Sequence, residues 1–190
     1  VGVLAAGCGS SSTTSDSGSS GTPVSGGTLT IARAIDSATM DPAYAYTPDD
    51  VFVVNQMFQP LFAASADGRS VVPVLAQSYT KSDGGRTLTV KLRPGVKFSN
   101  GQPLTSADVK YSLERVTGLK DSPFGYLLSP IKSVDATDPQ TATIHLTEPW
   151  APILADLSAW VADIVPANLN GQSAKAFFAH PVGTGPFKFS

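Results

Sequence analysis

"DGGRTLTVKLRPGVKFSNGQPLTSADVKYSLERV", residues 83–116, carries more information about the fold than any other stretch of this chain. Leu88, Val90 and Leu92 alternate with polar residues, which is the period of a strand that buries one face. A turn signal, Asp83-Gly84-Gly85, separates this strand from the segment before it. The pattern therefore predicts a β-hairpin around the Asp-Gly-Gly turn.

The second half of the block predicts a helix. Thr105 is placed to be its N-cap, and Asp108 follows three residues later, which is a capping-box spacing. Val109, Leu113 and Val116 then recur at helical spacing and form one apolar stripe.

On the N-terminal side, the chain predicts one strand and one helix. In "GGTLTIARA", Leu29 and Ile31 would share one face of a short strand. The segment "DDVFVVNQMFQPLF" predicts an amphipathic helix with Asp49 or Asp50 as N-cap and an end near Pro60.

On the C-terminal side, a second hairpin is predicted around Asp138-Pro139. A short helix in 148–160, a short strand in 162–166 and a strand starting at 187–189 follow it. Strands and helices interleave without a steady βαβ rhythm, so the pattern predicts an α/β or α+β unit.

Composition excludes several classes of function. The 190 residues carry a formal charge of −2, and no two basic residues are adjacent, which argues against nucleic-acid binding. The single cysteine excludes a disulfide framework and a multi-cysteine zinc site. Neither histidine has a metal-ligand partner at a useful spacing, so we expect no metal and no cofactor. No apolar run reaches the roughly 18 residues of a membrane span.

The segment before residue 26 predicts a membrane anchor. Residues 1–7 resemble the end of a secretory signal, with small residues before Cys8, as in the lipobox of bacterial lipoproteins. Ala5 departs from that pattern, because leucine is commoner there. Cys8 would receive the lipid, and the Ser/Gly-rich residues 8–25 would be a flexible tether. The alternative is an incidental or buried thiol.

The sequence gives only a weak signal for catalytic residues. Ser78 and Lys81, in "SYTK", have the Ser-x-x-Lys spacing of penicillin-recognising acylases, but that motif requires a helix and these residues fall on a strand. Neither His145 nor His180 forms a nucleophile–base pattern. We therefore predict that this protein is not an enzyme. A secreted serine hydrolase or acylase that uses Ser78 and Lys81 is the alternative.

Loop aromatics and glycines are the other candidates. Tyr44 and Tyr46 are either ligand-contacting or locally packed. Trp150 and Trp160 are expected in the core. The glycines of "GTGPF", residues 183–187, lack the remainder of a phosphate loop and more plausibly permit positive φ or close backbone approach.

Several motifs occur together. They are "PVLAQS" at 73–78, "DGGRTLTVKLRPGVKF" at 83–98, "NGQPLTSADVKYSLER" at 100–115, "GGTL" at 26–29, "MDPA" at 40–43 and "PVGTGPFKF" at 181–189. In type, order and spacing they resemble the family 5 extracellular solute-binding proteins, the receptors of ABC importers for peptides, dipeptides and nickel. The resemblance covers nearly all of residues 26–189.

The resemblance implies a type II periplasmic-binding-protein-like lobe I, incomplete, with an inserted α+β extra domain. Residues 26–58 would start lobe I, 59–180 would be the extra domain, and 181–190 would return to lobe I. The chain resembles about the first third of a family member. On that basis we expect the 190-residue piece alone to lack measurable peptide binding.

The resemblance also implies a function. The protein would capture an oligopeptide or dipeptide, with nickel chelates, opines or sugars as alternatives, and would deliver it to an ABC permease. The loop after the Asp-Pro pair would present the backbone of Tyr46, Thr47 and Pro48 to an extended peptide, although Pro48 has no N–H to donate. Tyr44 and Tyr46 could instead stack on the ligand. The implied state is a monomer on the extracellular face of the cytoplasmic membrane, on the periplasmic side in a Gram-negative cell.

Overall fold

The computed structural model describes residues 26–190, and these divide between two compact units with the boundary between Ala32 and Arg33. The predicted signal end, the tether and Cys8 lie outside the described residues. Residues 26–32 form no strand, and Leu29 is 82% exposed, so the strand predicted there is wrong. Alternation alone does not make a strand, because a neighbouring strand must complete its backbone hydrogen bonds.

A four-stranded antiparallel sheet organises residues 33–190, in the order β3-β4-β6-β5. Its strands are β3 (Ala76–Ser82), β4 (Thr87–Leu92), β5 (Ile131–Asp138) and β6 (Thr141–Leu146), and a separate hairpin pairs β1 (Phe62–Ala64) with β2 (Val71–Pro73). Both predicted hairpins of the large sheet are confirmed, whereas the β1–β2 hairpin was not predicted. In the central pair, Leu88 lies opposite Ile144 and Val90 opposite Ala142, and all four are buried.

Helix α2 (Ser106–Gly118) packs against β5 and β6 with the stripe that the sequence predicted. Val109, Leu113 and Val116 are buried. The backbone N–H and the hydroxyl of Thr105 both donate to Asp108 Oδ2, at 2.7 and 2.9 Å. The predicted capping pair is therefore confirmed, and it sets the start of the helix.

Helix α1 (Pro48–Met57) begins earlier than predicted, and its N-cap is Thr47 rather than Asp49 or Asp50. Pro48 suits the first helical position because its φ is already helical and its missing N–H would have no partner there. Asp50 occupies the third helical position, and its N–H donates to Thr47 Oγ1 at 3.2 Å. The helix ends at Met57, before Pro60.

The last quarter of the described chain contains short helices and no strand. The predicted short helix is confirmed as α3 (Ile153–Asp156), and α4 (Ala174–Ala179) follows. The strands predicted at 162–166 and 187–189 are wrong. Gly185 and Phe187 do donate to the carbonyls of Met57 and Gln56, at 2.9 and 3.0 Å, but the acceptors belong to the end of a helix, which cannot continue a strand ladder.

Two apolar clusters fill the interior. The first joins the sheet, α2 and the segment 153–164, and the second joins α1, α4 and residues 165–169. Trp160 and Val182 pack against both clusters. The mixture of helices and antiparallel sheet around this interior confirms the predicted α/β fold class. The boundaries proposed between lobe I and the extra domain stay predictions.

Candidate functional site

The loop 41–47 leads into α1 and is held in one conformation by Asp41. The N–H groups of Tyr44 and Ala45 both donate to the Asp41 carbonyl at 3.0 Å. The N–H of Ala43 donates to Asp41 Oδ1, also at 3.0 Å. Asp41 is only 5% exposed, so this turn is anchored from its buried side.

A nearly buried ion pair joins that loop to α2. Arg115 Nη1 donates to Asp41 Oδ1 at 2.9 Å, and Arg115 Nη2 donates to Asp41 Oδ2, which makes the pair bidentate. The two side chains are 12% and 7% exposed. The Arg115 guanidinium also lies 5.1 Å from the centre of the Phe178 ring on α4. The loop, α2 and α4 therefore converge on one charge pair, whose two partners lie 74 residues apart along the chain.

Asp50 gathers the backbone of the loop around a second buried carboxylate. It accepts the N–H groups of Ala38, Thr39, Tyr46 and Thr47 at 2.7 to 3.3 Å, and the Thr47 hydroxyl at 2.8 Å. Burial opposes the charged form, but the bonds from Thr47 and the backbone outweigh it and lower the pKa of Asp50 to about 2. The N–H donors of Tyr46 and Thr47 are consequently engaged inside the loop.

The three residues predicted to contact ligand lie on this loop in different environments. Tyr44 is half-buried, and its hydroxyl donates to Asp121 Oδ1 at 2.9 Å, a bond that raises the pKa of Tyr44. Thr47 is occupied as the helix cap. Tyr46 is 68% exposed and presents its ring to solvent. The structure thus leaves Tyr46 as the member of the three with a large accessible side chain.

An aromatic surface, defined by the rings of Tyr46, Phe124 and Tyr126, was not predicted from the sequence. The ring centre of Phe124 lies 6.0 Å from that of Tyr46 and 6.3 Å from that of Tyr126. Phe124 also makes an edge contact with Trp160, with ring centres 4.9 Å apart. The signal that could have found it is two aromatics spaced by one glycine, Phe124 and Tyr126, in a turn-rich segment.

An open groove of about 440 Å³ lies beside the loop. Its walls are residues 37–41 and Tyr44 on one side and α4 residues on the other, including Lys175 and Phe178. The carboxylate of Asp41 faces this region already paired with Arg115. The groove therefore offers an apolar and hydroxyl-lined wall next to the loop that carries the predicted contacts.

Other sequence candidates occupy positions that the fold explains. Ser78 and Lys81 are both exposed on β3, and their spacing of three residues along an extended strand, roughly 10 Å, keeps a serine and a lysine from forming the pair that an acylase needs. Trp160 is half-buried, and its Nε1 donates to the Ala45 carbonyl at 3.1 Å. Trp150 is 37% exposed and donates to Asp156 Oδ2 at 2.6 Å, so its predicted core position is wrong.

The glycines of "GTGPF" bring two backbone segments close together. Of the two roles predicted for them, positive φ and close backbone approach, the second is the one that the structure shows. A Cβ on Gly183 would lie 1.9 Å from the Met57 carbonyl oxygen, and one on Gly185 would lie 2.4 Å from that of Gln56. This contact attaches residues 183–187 to the end of α1.

Within residues 26–190, no helix has both the length and the apolar character needed to cross a membrane.

Comparisons with known proteins place these features in a context. The model of the bacterial extracellular solute-binding proteins, family 5 Middle, matches residues 70–190. The glutathione-binding protein GsiB of Escherichia coli O1:K1 is 35% identical over 162 residues, which cover 84% of this chain and 31% of GsiB. The chain thus spans about a third of the length of this curated relative.

Solved structures agree in fold. The binding protein AgaA from A. tumefaciens R10, in complex with agropinic acid, is 33% identical with a TM-score of 0.75, over 82% of this chain and 31% of AgaA. The protein DppA from Helicobacter pylori, in complex with the peptide STSA, is 28% identical with a TM-score of 0.71, over 82% of this chain and 35% of DppA.

Proposed function

Because the chain belongs to the bacterial extracellular solute-binding proteins of family 5, we propose that it captures an oligopeptide or dipeptide outside the cell and delivers it to the permease of an ABC importer. The observation that carries this proposal is the preorganised loop 41–47. Two buried carboxylates, Asp41 and Asp50, hold its backbone while the Tyr46 ring stays accessible. A rigid loop with an exposed aromatic ring binds ligand without a large entropy loss.

The choice of a peptide is supported by two relatives. GsiB is a glutathione-binding protein, and DppA was solved with a bound peptide. Both ligands combine amide groups with charged termini. Agropinic acid in AgaA shows that the same fold accepts other small molecules.

Tyr44, Tyr46 and Thr47 are the proposed ligand contacts. Since the N–H groups of Tyr46 and Thr47 donate to Asp50, Tyr46 would contribute mainly its ring. In the proposed arrangement residues 26–58 start lobe I, 59–180 form the extra domain, and 181–190 return to lobe I. A second lobe would close over the loop by hinge motion.

The decisive experiment uses the intact protein. Mass spectrometry of ligand released from the purified protein should identify a peptide, and calorimetry with that peptide should show saturable binding. Tyr46→Ala should weaken binding, whereas Tyr79→Ala, an exposed tyrosine on β3, should not. A nickel chelate, an opine or a sugar as the released ligand would contradict the peptide assignment. Hydrolytic turnover lost on Ser78→Ala would contradict the receptor assignment.

Cys8 is the proposed lipid attachment point, which would hold a monomeric receptor on the extracellular face of the cytoplasmic membrane. The support is the small-residue segment before Cys8 and the polar tract after it. Cys8→Ser should release the protein from the membrane fraction or leave its signal uncut. Mature Cys8→Ser protein that still sediments with membranes would show that the anchor is elsewhere.

A further inference from the structure

We propose that the aromatic surface of Tyr46, Phe124 and Tyr126 is a side-chain subsite that selects ligands with an aromatic or flat apolar group. The inference rests on the proposed function and names the class of ligand within it. It assigns recognition at this loop to ring contacts rather than to backbone hydrogen bonds.

The first argument is the state of the loop backbone. Strand-like recognition of a peptide requires free N–H donors. The backbone N–H groups of Tyr46 and Thr47 both donate to Asp50 Oδ2, at N···O distances of 3.3 and 3.1 Å, and Pro48 has no N–H. Positions 46–48 therefore present no free N–H to a ligand, which leaves the side chains as the larger contact that this stretch can offer.

The second argument is that the rings are held in place although they are exposed. Tyr46 is 68% and Tyr126 is 65% exposed, and the half-buried Phe124 lies between them. Each tyrosine ring contacts Phe124, with ring centres 6.0 and 6.3 Å apart. Phe124 also contacts the edge of Trp160, and Trp160 is itself fixed because its Nε1 donates to the Ala45 carbonyl.

The third argument is that two segments distant in sequence are joined beside these rings. The Ser122 hydroxyl donates to the Ala43 carbonyl at 2.6 Å, and the Tyr44 hydroxyl donates to Asp121 at 2.9 Å. These bonds align 121–126 with the loop 41–47, so that Phe124 meets Tyr46. The surface is thus continuous with the loop proposed to contact ligand, which is why we assign it to the ligand.

The chemistry of the surface defines its occupant. Three rings, two of which carry hydroxyl groups at their edges, suit an aromatic side chain, which gains from offset or edge contacts beyond its burial. We therefore expect a phenylalanine, tyrosine or tryptophan side chain to occupy it.

The test compares two tripeptides on the intact protein by calorimetry, Ala-Phe-Ala and Ala-Ala-Ala. We expect Ala-Phe-Ala to bind about fivefold more tightly, the order expected for an aromatic contact. Tyr46→Ala and Tyr126→Ala should each reduce that preference toward one. Tyr79→Ala is the matched control, because Tyr79 is 41% exposed on β3 and its ring packs on Phe62 instead.

The possible failures are distinguishable. Equal binding of both tripeptides overturns the subsite and leaves the proposed function intact. A preference that survives Tyr46→Ala and Tyr126→Ala also overturns it, because another part of the protein then supplies the selectivity. Absence of binding of either tripeptide, with a non-peptide ligand identified by mass spectrometry, overturns both proposals. Thermal unfolding of each variant separates loss of fold from loss of selectivity.

Discussion

Asp41 and Arg115 form one ion pair that joins two of the sequence motifs of this chain. Asp41 belongs to the segment "MDPA" and Arg115 ends the segment "DVKYSLER". Their bidentate contact is nearly buried, and the same Asp41 carboxylate also holds the turn that carries Tyr44. A charge in that position is stable only while its partner is present.

The pair predicts a large cost for removing one partner. Arg115→Gln should lower the free energy of unfolding by about 3 kcal/mol, since it leaves Asp41 buried without a countercharge. Urea denaturation measures this. The control is Arg69→Gln, an exposed arginine between β1 and β2, which should cost less than about 0.5 kcal/mol.

A double variant completes that test. Adding Asp41→Asn to Arg115→Gln should restore part of the stability, because the unpaired charge is then gone. Additive losses in the double variant would show that the two side chains act independently.

Asp50 predicts acid sensitivity. Its pKa falls from 3.8 to about 2 on folding, so its contribution to stability is fully present above about pH 4 and is lost as pH falls toward 2. The size of the contribution is about 2 kcal/mol. Between pH 2 and 5, the free energy of unfolding should therefore change less with pH for Asp50→Asn than for the unmodified protein. Asp49→Asn, one residue earlier, is the matched control for the change of side chain.

At the scale of elements, α2 is the helix to which distant segments attach. Besides Arg115, its Asp108 accepts the N–H of Ala167 at 2.7 Å, and its Ser112 hydroxyl bonds to both the N–H and the carbonyl of Val165. These bonds hold the irregular segment 165–167 against the helix. Polar residues on the buried side of α2 thus serve connections, while Val109, Leu113 and Val116 serve packing.

The contact between α1 and the segment 183–187 predicts a backbone clash. Gly183→Ala should lower the free energy of unfolding by about 1–3 kcal/mol, because its Cβ would meet the Met57 carbonyl oxygen at 1.9 Å. Gly118→Ala, at the end of α2, has no atom within 4 Å of its added Cβ and should be neutral or slightly stabilising. Thermal unfolding compares the two. Equal melting temperatures for both variants would contradict the close approach.

At the scale of the whole molecule, residues 33–190 combine two apolar clusters that share Trp160 and Val182. The second cluster takes residues from α1 and α4, which are far apart in sequence. Shared side chains between clusters couple their unfolding.

The shared residues predict a single cooperative transition. Leu113→Ala in the first cluster and Phe177→Ala in the second should each shift the whole urea transition, by about 2–5 and 3–5 kcal/mol. Both residues are fully buried. Tryptophan fluorescence and far-UV circular dichroism should follow the same curve in each variant. Two separated transitions in Phe177→Ala would show that the clusters unfold independently.

A buried carboxyl stands apart from this packing. Asp163 is 3% exposed, and neither of its oxygens has a hydrogen-bond partner among the described residues. Burial raises the pKa of Asp163 well above its usual value, so the folded protein holds this group neutral at a pH where the unfolded chain ionises it. The contribution of Asp163 to the free energy of unfolding therefore becomes less favourable as pH rises from about 4.

What was predictable depended on the range of the interactions. The hairpins at β3–β4 and β5–β6 follow from alternation and turn residues, and the start of α2 follows from a capping pair. In each of these signals, the residues involved are only a few positions apart. The strands expected around Leu29 and at 187–189 failed, because a strand also needs a partner that local sequence does not specify. Thr47 as N-cap was missed because Asp50 is equally suited to that role by residue type.

The candidate site divides in the same way. Tyr44 and Tyr46 could be named from the sequence as aromatic residues of one loop, and Thr47 from the resemblance to the family. The engagement of their backbone by Asp50, the pairing of Asp41 with Arg115 and the meeting of Tyr46 with Phe124 join residues up to 78 positions apart or depend on the folded loop. The sequence by itself determined the β3–β4 and β5–β6 hairpins, helix α2 and the family, since each follows from local motifs. Only the tertiary structure decided which side chains meet, because long-range contacts arise from packing of the complete chain.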